Sequence, residues 1–199
     1  MIPLWFRLCY LIFVAMLVPA YALEYGLVHF LWFSNVALIG GLLAAWLESP
    51  RLASMMAVAV ALLELPWVFD FLLSLALGGS TPLGIVDYMY NRDIALHLRL
   101  LSLYHLLLPF VLLWMVWRLG YDREAWKIWA SAGCTILLLS IWLPSPERNI
   151  NWVWGPWGQA QDWTSPYVWF GTVLTVCLSA WWLTHRVLLA VMPGLGRKA

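Results

Sequence analysis

The chain has 199 residues, of which 64% are hydrophobic and 11% are charged, and it contains 16 tryptophans. Soluble domains are about 45–50% apolar and about 25% charged, so this composition exceeds what one core of this size can bury. Eleven Lys and Arg against ten Asp and Glu leave a net charge of +1 and no basic patch, which excludes nucleic acid as a partner. The composition also excludes a secreted disulfide scaffold and a disordered tail, and it indicates a membrane protein.

Six segments are long and apolar enough to cross a bilayer as helices. A crossing needs about 20 mainly apolar residues, because the hydrocarbon core is ~30 Å thick and a helix rises 1.5 Å per residue. The alternation over about ten residues that is typical of barrel strands is absent. We therefore predict an all-α polytopic bundle, one transmembrane domain over 1–199, with six transmembrane helices at about 4–23, 27–47, 53–77, 97–119, 126–143 and 167–191.

The first segment has a second interpretation. Arg7, the apolar run Leu8–Val18 and the triplet Ala20-Tyr21-Ala22 resemble a secretory signal peptide with its cleavage site. A retained first helix is the preferred interpretation, because the residues before Arg7 are themselves apolar.

The distribution of basic residues predicts the orientation. With six crossings both termini share one side, and that side carries eight Lys and Arg: Arg7, Arg51, Arg118, Arg123, Lys127, Arg186, Arg197 and Lys198. The opposite side carries three, namely Arg92, Arg99 and Arg148. Because short cytoplasmic connections hold the Lys and Arg excess, we predict cytoplasmic N- and C-termini and outward loops at 78–96 and 144–166. In a bacterium this is the cytoplasmic (inner) membrane, with the long loops facing the periplasm.

Polar side chains inside the predicted spans are the candidate functional residues, since ionisable groups are costly in lipid. Counting inward from the outer helix ends at 1.5 Å per residue places Asn35 and His105 at ~12 Å, Asp70 at ~10 Å and Glu64 at ~20 Å. We expect these residues to share an outward-facing polar cavity. His29 and Arg99 are expected at its mouth.

Two prolines lie close to these residues. Glu64 and Asp70 are six residues apart, so an ideal helix separates them by about 120°. Pro66 lies between them, and we expect it to kink the helix there. In the fourth span Ser102, His105 and Pro109 follow one stripe that ends in a helix breaker.

Several chemistries fit this set of residues. The leading interpretation is catalytic: His105 acts as a general base on a lipid or small amphiphile, with Asp70 and Glu64 orienting it. A divalent metal held by Asp70, Glu64 and His105 is an alternative, although no HExxH spacing supports it. Proton transfer through the same three groups is another. In the structural interpretation these groups hydrogen-bond or pair with one another and fix the packing of the helices.

The outward loops are long, which is often a sign of function. The 144–166 loop carries four tryptophans, and a fifth, Trp169, lies at the start of the predicted span that follows. Asn151, Trp152 and Trp154 are candidate substrate-binding residues. The loop is interpreted either as an aromatic belt at the membrane interface or as a lid whose amides contact a polar headgroup. Small residues in the second and third spans, among them Gly40 and Gly41, predict that these two helices pack as a close hairpin.

The sequence resembles a family of bacterial polytopic membrane-associated proteins of about this length. The resemblance covers most of the chain, and it is carried by the segments His29–Asn35, Glu64–Asp70, Leu101–His105, Arg118–Arg123 and Asn149–Val153. That family has no assigned activity.

A more remote similarity is to the six-helix integral membrane family that includes an ether-phospholipid acyltransferase. In that family a short polar motif in an early helix contains a cysteine, and a later helix contains a histidine. The matching motif here is Trp32-Phe33-Ser34-Asn35, with serine in place of the cysteine, and His105 corresponds to the histidine. The similarity implies lipid chemistry.

Together these observations predict a multi-pass membrane protein that binds or acts on a lipid or amphiphile through an outward-facing polar cavity. The alternative is a non-catalytic subunit with a membrane protein partner, or a small proton-coupled transporter. Membrane lipids are the expected partners in either case, and a divalent metal is the cofactor that the residue types suit.

Overall fold

The computed structural model describes residues 1–192, and all regular elements in this range are helical. The α-helices are α1 (Leu4–Tyr25), α2 (Phe33–Leu47), α3 (Pro50–Val60), α4 (Leu65–Ala76), α5 (Leu96–Leu101), α6 (Tyr104–Leu119), α7 (Ala125–Trp142) and α8 (Pro166–Val191). Short 3₁₀ helices occupy Leu27–Leu31, Asp87–Met89, Pro146–Arg148, Ile150–Trp152 and Pro156–Gly158. The predicted all-α class is confirmed, whereas Arg197 and Lys198 lie outside the described residues.

Four helical segments are long and apolar enough to cross a membrane: α1, the Leu96–Leu119 segment formed by α5 and α6, α7, and α8. A fifth crossing results if α3 and α4 form one span, because they pass the same test together but are bent by 59° at a short break. Helix α2 has only 15 residues, about 22 Å of helix. The chain is therefore a polytopic helical membrane protein with four to five candidate crossings, fewer than the six predicted from hydropathy.

Three of the predicted spans are interrupted. The span predicted at 27–47 begins with a 3₁₀ helix, and α2 starts at Phe33. Gly26 precedes that 3₁₀ helix with φ +75°, a left-handed conformation that glycine adopts without a Cβ penalty. The span predicted at 97–119 is divided into α5 and α6 at residues 102–103.

The break between α3 and α4 has a chemical cause. Pro66 lacks the N–H that would bond the carbonyl of Leu62 and continue the helical ladder. Leu65 N bonds Leu62 O instead, at 3.2 Å, which is the tighter 3₁₀ pattern. The kink predicted at Pro66 is thus present.

The centre of the bundle is built on close contact between α2 and α3. Gly40 lies against Met56 of α3, so closely that an added Cβ would clash with Met56 Sδ. Gly41 instead faces Tyr10 of α1 and Leu112 of α6. The predicted hairpin of the second and third helices is therefore confirmed. Helix α3 also packs on α6 and α7, so its C-terminal end, where Glu64 follows, lies inside the bundle.

Candidate functional site

The two interrupted segments bring Glu64 and His105 together. Glu64 directly precedes α4, and His105 is the second residue of α6. Glu64 follows Pro50 by 14 residues and His105 precedes Leu119 by 14 residues, so each lies about 21 Å along its segment from the same end of the bundle. The two helix breaks are therefore at one level.

The Glu64 carboxylate and the His105 ring form a direct pair. His105 Nδ1 lies 2.9 Å from Glu64 Oε2, and the two side chains are 17% and 10% exposed. Within residues 1–192 this is the ring's sole hydrogen bond, so Nε2 has no protein partner there. One ring nitrogen is thus held by an acid and the other is free.

Two aromatic rings stack on the His105 ring. The Trp67 ring stacks on it with centroids 5.0 Å apart, and the Tyr104 ring stacks with centroids 4.1 Å apart. Trp67 is itself fixed, because its Nε1 donates to the Tyr88 hydroxyl at 3.0 Å. The imidazole plane is therefore set by its neighbours as well as by Glu64.

Asn35 supports this arrangement from α2. The Tyr104 hydroxyl donates to Asn35 Oδ1 at 2.9 Å, and Asn35 Nδ2 donates to the His29 carbonyl at 3.0 Å. Asn35 is 1% exposed. The residue thus positions the tyrosine that backs His105 and does not itself touch the histidine.

The His29 ring lies to one side of the pair. It stacks on Tyr25 at 4.5 Å between centroids and meets the edge of Tyr21 at 5.3 Å. The Tyr21 hydroxyl bonds Ser102 Oγ at 2.7 Å, at the break before α6. His29 is therefore linked to the His105 segment through Tyr21 and Ser102.

Asp70 occupies a different environment from the one expected. It is fully buried, and its carboxylate accepts hydrogen bonds from the backbone N–H groups of Leu83 at 3.0 Å, Ile85 at 2.9 Å and Val86 at 3.1 Å. The carboxylate that orients His105 is accordingly that of Glu64, and Asp70 anchors the 78–96 loop.

The bend at Pro66 explains this exchange of roles. A straight-helix count places Glu64 about 8 Å deeper than His105. Because α4 is inclined by 59° to α3, each residue of α4 contributes less depth than 1.5 Å, and Glu64 lies at the level of His105.

The predicted metal set is not assembled. Among residues 1–192, no group of three or more His, Cys, Asp or Glu side chains is placed to hold a metal ion. Glu64 and His105 are adjacent, but the Asp70 oxygens are taken by the loop backbone. Two surface depressions lie elsewhere, one beside the N-terminal residues Met1–Leu4 and one between α7 and α8.

The residues predicted in the 144–166 loop mainly hold that loop in place. Asn151 Oδ1 accepts from Phe33 N at 3.1 Å, and its Nδ2 donates to Leu31 O at 2.8 Å and to Ser140 Oγ at 3.1 Å. Asn151 therefore caps the start of α2.

Two tryptophans of the same loop are held by their backbones. The Trp152 carbonyl accepts from Trp169 Nε1 at 2.8 Å, and Trp154 N donates to Asn149 Oδ1 at 2.8 Å. Asn149 is fully buried and adopts φ +40°, and sequence reasoning did not single it out. Asparagine tolerates this left-handed conformation, and the Pro-Ser-Pro run before it is the signal that marked a turn.

Two loop residues, Tyr88 and Glu147, have pKa values that are shifted by their immediate surroundings. Burial raises the pKa of the Tyr88 phenol, with a smaller opposing effect from its hydrogen bond with Trp67. A hydrogen bond from the Ser145 hydroxyl, together with one from its own backbone, lowers the pKa of the exposed Glu147 carboxyl. Tyr88 therefore stays protonated where it holds Trp67 against His105.

Comparison with protein-family models, with curated proteins and with solved structures finds no match to this chain. Trp67 and Tyr104 belong to the His105 site although sequence reasoning did not select them, because aromatic residues are common throughout this chain and only the fold identifies the two that stack on His105.

Proposed function

We propose that the protein is an integral membrane enzyme in which His105 Nε2 acts as a general base on a lipid or other amphiphile. The observation that carries this proposal is the Glu64–His105 pair, in which a carboxylate binds Nδ1 and leaves Nε2 without a partner in residues 1–192. An ionised carboxylate favours the tautomer with the proton on Nδ1, and Nε2 is then an unprotonated acceptor.

The proposed step is proton abstraction from a hydroxyl group of water or of an alcohol. The hydroxyl proton moves to Nε2 while the oxygen adds to an ester carbonyl of the amphiphile. Glu64 stabilises the imidazolium through Nδ1–H, and the departing alkoxide takes the proton from Nε2 when the ester bond breaks. A site with little water strengthens these interactions.

Six crossings with cytoplasmic termini complete the proposal. The bent α3–α4 pair serves as the third crossing, and α2 together with Leu27–Leu31 serves as the second. The excess of Lys and Arg on the side of the termini supports this orientation. It puts Glu64 and His105 in the outer half of the membrane.

Cysteine labelling tests the topology. In a variant with Cys9, Cys134 and Cys177 replaced by serine, Asp93→Cys is expected to react in intact cells with a membrane-impermeant maleimide. Glu124→Cys is expected to react only after the cells are opened. The reverse pattern would contradict the orientation.

Lipid turnover tests the activity. Purified protein is reconstituted into vesicles of phosphatidylethanolamine and phosphatidylglycerol, and products are quantified by mass spectrometry. A general base contributes about 10²–10⁴-fold, so His105→Ala should lower turnover by at least about 100-fold. His97→Ala is the matched control, because His97 is an exposed histidine of the same helical segment.

Two results would reject the enzyme proposal. Wild-type protein that leaves the lipids unchanged would favour a non-catalytic subunit or a proton-coupled transporter. A folded His105→Ala protein with wild-type turnover would remove the histidine from the reaction.

A further inference from the structure

Arg99 carries a charge that the described part of the chain does not neutralise. No carboxylate among residues 1–192 lies within ion-pair distance of its guanidinium. Its Nη1 donates to the Met89 carbonyl at 3.1 Å, while its Nε is buried and has no hydrogen-bond partner in the same range. Arginine stays charged at all ordinary pH values, and burying an uncompensated charge or donor costs free energy. Within residues 1–192 the Arg99 side chain thus has an unpaired charge and an unbonded N–H donor.

The acid nearest in the sequence, Asp93, is exposed and does not lie within ion-pair distance of Arg99. Two other acids near this segment are bonded elsewhere. The Asp70 carboxylate is bonded by three backbone N–H groups, and the Asp87 carboxylate accepts from the Thr81 hydroxyl. Neither pairs with Arg99. Within residues 1–192 the Arg99 guanidinium therefore has no anionic partner.

Arg99 and His105 flank one cluster of side chains. Met89, whose carbonyl Arg99 binds, packs against the small cluster that contains Trp67 and Val86. Trp67 stacks on His105. Arg99 precedes His105 by six residues, so it lies about 9 Å nearer to the start of the segment.

We infer that Arg99 binds the phosphate group of a phospholipid whose acyl ester reaches His105. This inference rests on the proposed function and names its substrate class. In a phospholipid the phosphate and the acyl esters are attached to one glycerol unit, with the phosphate toward water and the esters deeper. In the proposed topology Arg99 and His105 follow the same order, with the guanidinium nearer the outer surface. The planar fork of arginine suits bidentate bonds to phosphate oxygens.

The test compares an anionic lipid with its neutral counterpart. Binding of short-chain phosphatidylglycerol and of the matching diacylglycerol to detergent-purified full-length protein is measured by native mass spectrometry and by the shift in unfolding temperature. Arg99→Gln should weaken phosphatidylglycerol binding by at least about tenfold, the equivalent of one charge-assisted hydrogen bond, and leave diacylglycerol binding unchanged. Arg92→Gln, at an exposed arginine of the adjoining loop, should change neither.

Further variants keep the test decisive. Arg99→Lys retains the charge, so it should retain part of the preference for the anionic lipid and report on the site even where Arg99→Gln folds poorly. The ratio of the two affinities within one preparation does not depend on how much protein is folded. An unchanged ratio in Arg99→Gln would overturn the inference.

Inorganic phosphate and His105→Ala separate the remaining explanations. Release of phosphatidylglycerol by millimolar inorganic phosphate would assign the site to free phosphate and overturn the lipid assignment. His105→Ala should keep phosphatidylglycerol binding within about twofold while turnover is lost, because the two residues serve different steps. If the wild-type protein prefers phosphatidylglycerol to diacylglycerol but turns over no lipid, the proposed function is rejected and the phosphate site at Arg99 is retained.

Discussion

Glu64 and Asp70 are acids six residues apart, one just before α4 and one within it. Their surroundings nevertheless give them different roles. The Asp70 carboxylate is fully buried and bonded by three backbone N–H groups, so its capacity is used to fix the 78–96 loop. The Glu64 carboxylate bonds a titratable ring whose other nitrogen is free in residues 1–192. A buried acid therefore points to chemistry only when its hydrogen-bond partner keeps another atom able to donate or accept a proton.

The largest expected effect is on stability, at Asp70. Asp70→Ala removes three hydrogen bonds to a charged acceptor, so it should lower the free energy of unfolding by about 3 kcal/mol or more. Chemical unfolding in detergent measures the change, and hydrogen exchange should become faster across residues 78–95. Asp93→Ala, at an exposed acid of the same loop, is the control. Wild-type exchange in Asp70→Ala would show that the loop is held by other contacts.

The next effect is on turnover, at Glu64. Glu64→Gln should lower lipid turnover by about tenfold or more, because a neutral amide does not stabilise an imidazolium as a carboxylate does. Stability should fall less than in Asp70→Ala. In the double variant Glu64→Gln/His105→Gln, turnover should equal that of His105→Gln alone, since the two residues act as one unit. Additive losses would mean that Glu64 acts independently of His105.

Tyr88 connects the 78–96 loop to the His105 site through Trp67, and it should make the stability of the protein depend on pH. Its phenol is bonded by Trp67, and its pKa is raised in the folded protein. A group with a raised folded pKa contributes stability that is full below the unfolded pKa, about 10 for tyrosine, and is lost as the pH rises above that value. The unfolding temperature should therefore fall between pH 9 and 11, and Tyr88→Phe should make that fall less steep. An identical slope in Tyr88→Phe would contradict the assignment.

The smallest expected effect is at Tyr90. Its hydroxyl bonds Ser74 Oγ at 2.7 Å, which ties the loop to the last turns of α4. Tyr90→Phe removes this one neutral hydrogen bond and should cost about 1 kcal/mol of unfolding free energy, with turnover unchanged. If Tyr90→Phe lost as much turnover as Glu64→Gln, the loop contact would be needed for the function of the Glu64–His105 pair.

The elements that could be predicted from the sequence are those set by local chemistry. Long apolar runs predict the helices, Pro66 predicts the kink, and the small residues around Gly40 predict the close approach of α2 to α3. The composition alone is enough to exclude a soluble domain.

The partner of His105 depends on geometry that no local pattern contains. Counting along a straight helix favours Asp70, because the count cannot include a bend of 59°. The choice between Glu64 and Asp70 is also set by the 78–96 loop, whose N–H groups occupy Asp70 only in the folded chain. Stacking of Trp67 and Tyr104 on the ring is likewise a tertiary result.

The cap that Asn151 provides for α2 has a consequence for biosynthesis. The residues it bonds, Leu31 and Phe33, precede it by 120 and 118 residues. At a synthesis rate of about 5–20 residues per second, the start of α2 emerges roughly ten seconds before its cap exists. During this interval the backbone groups of Leu31 and Phe33 lack the partners that Asn151 later provides. Closure of this cap therefore requires synthesis as far as the 144–166 loop, with α8 still to follow.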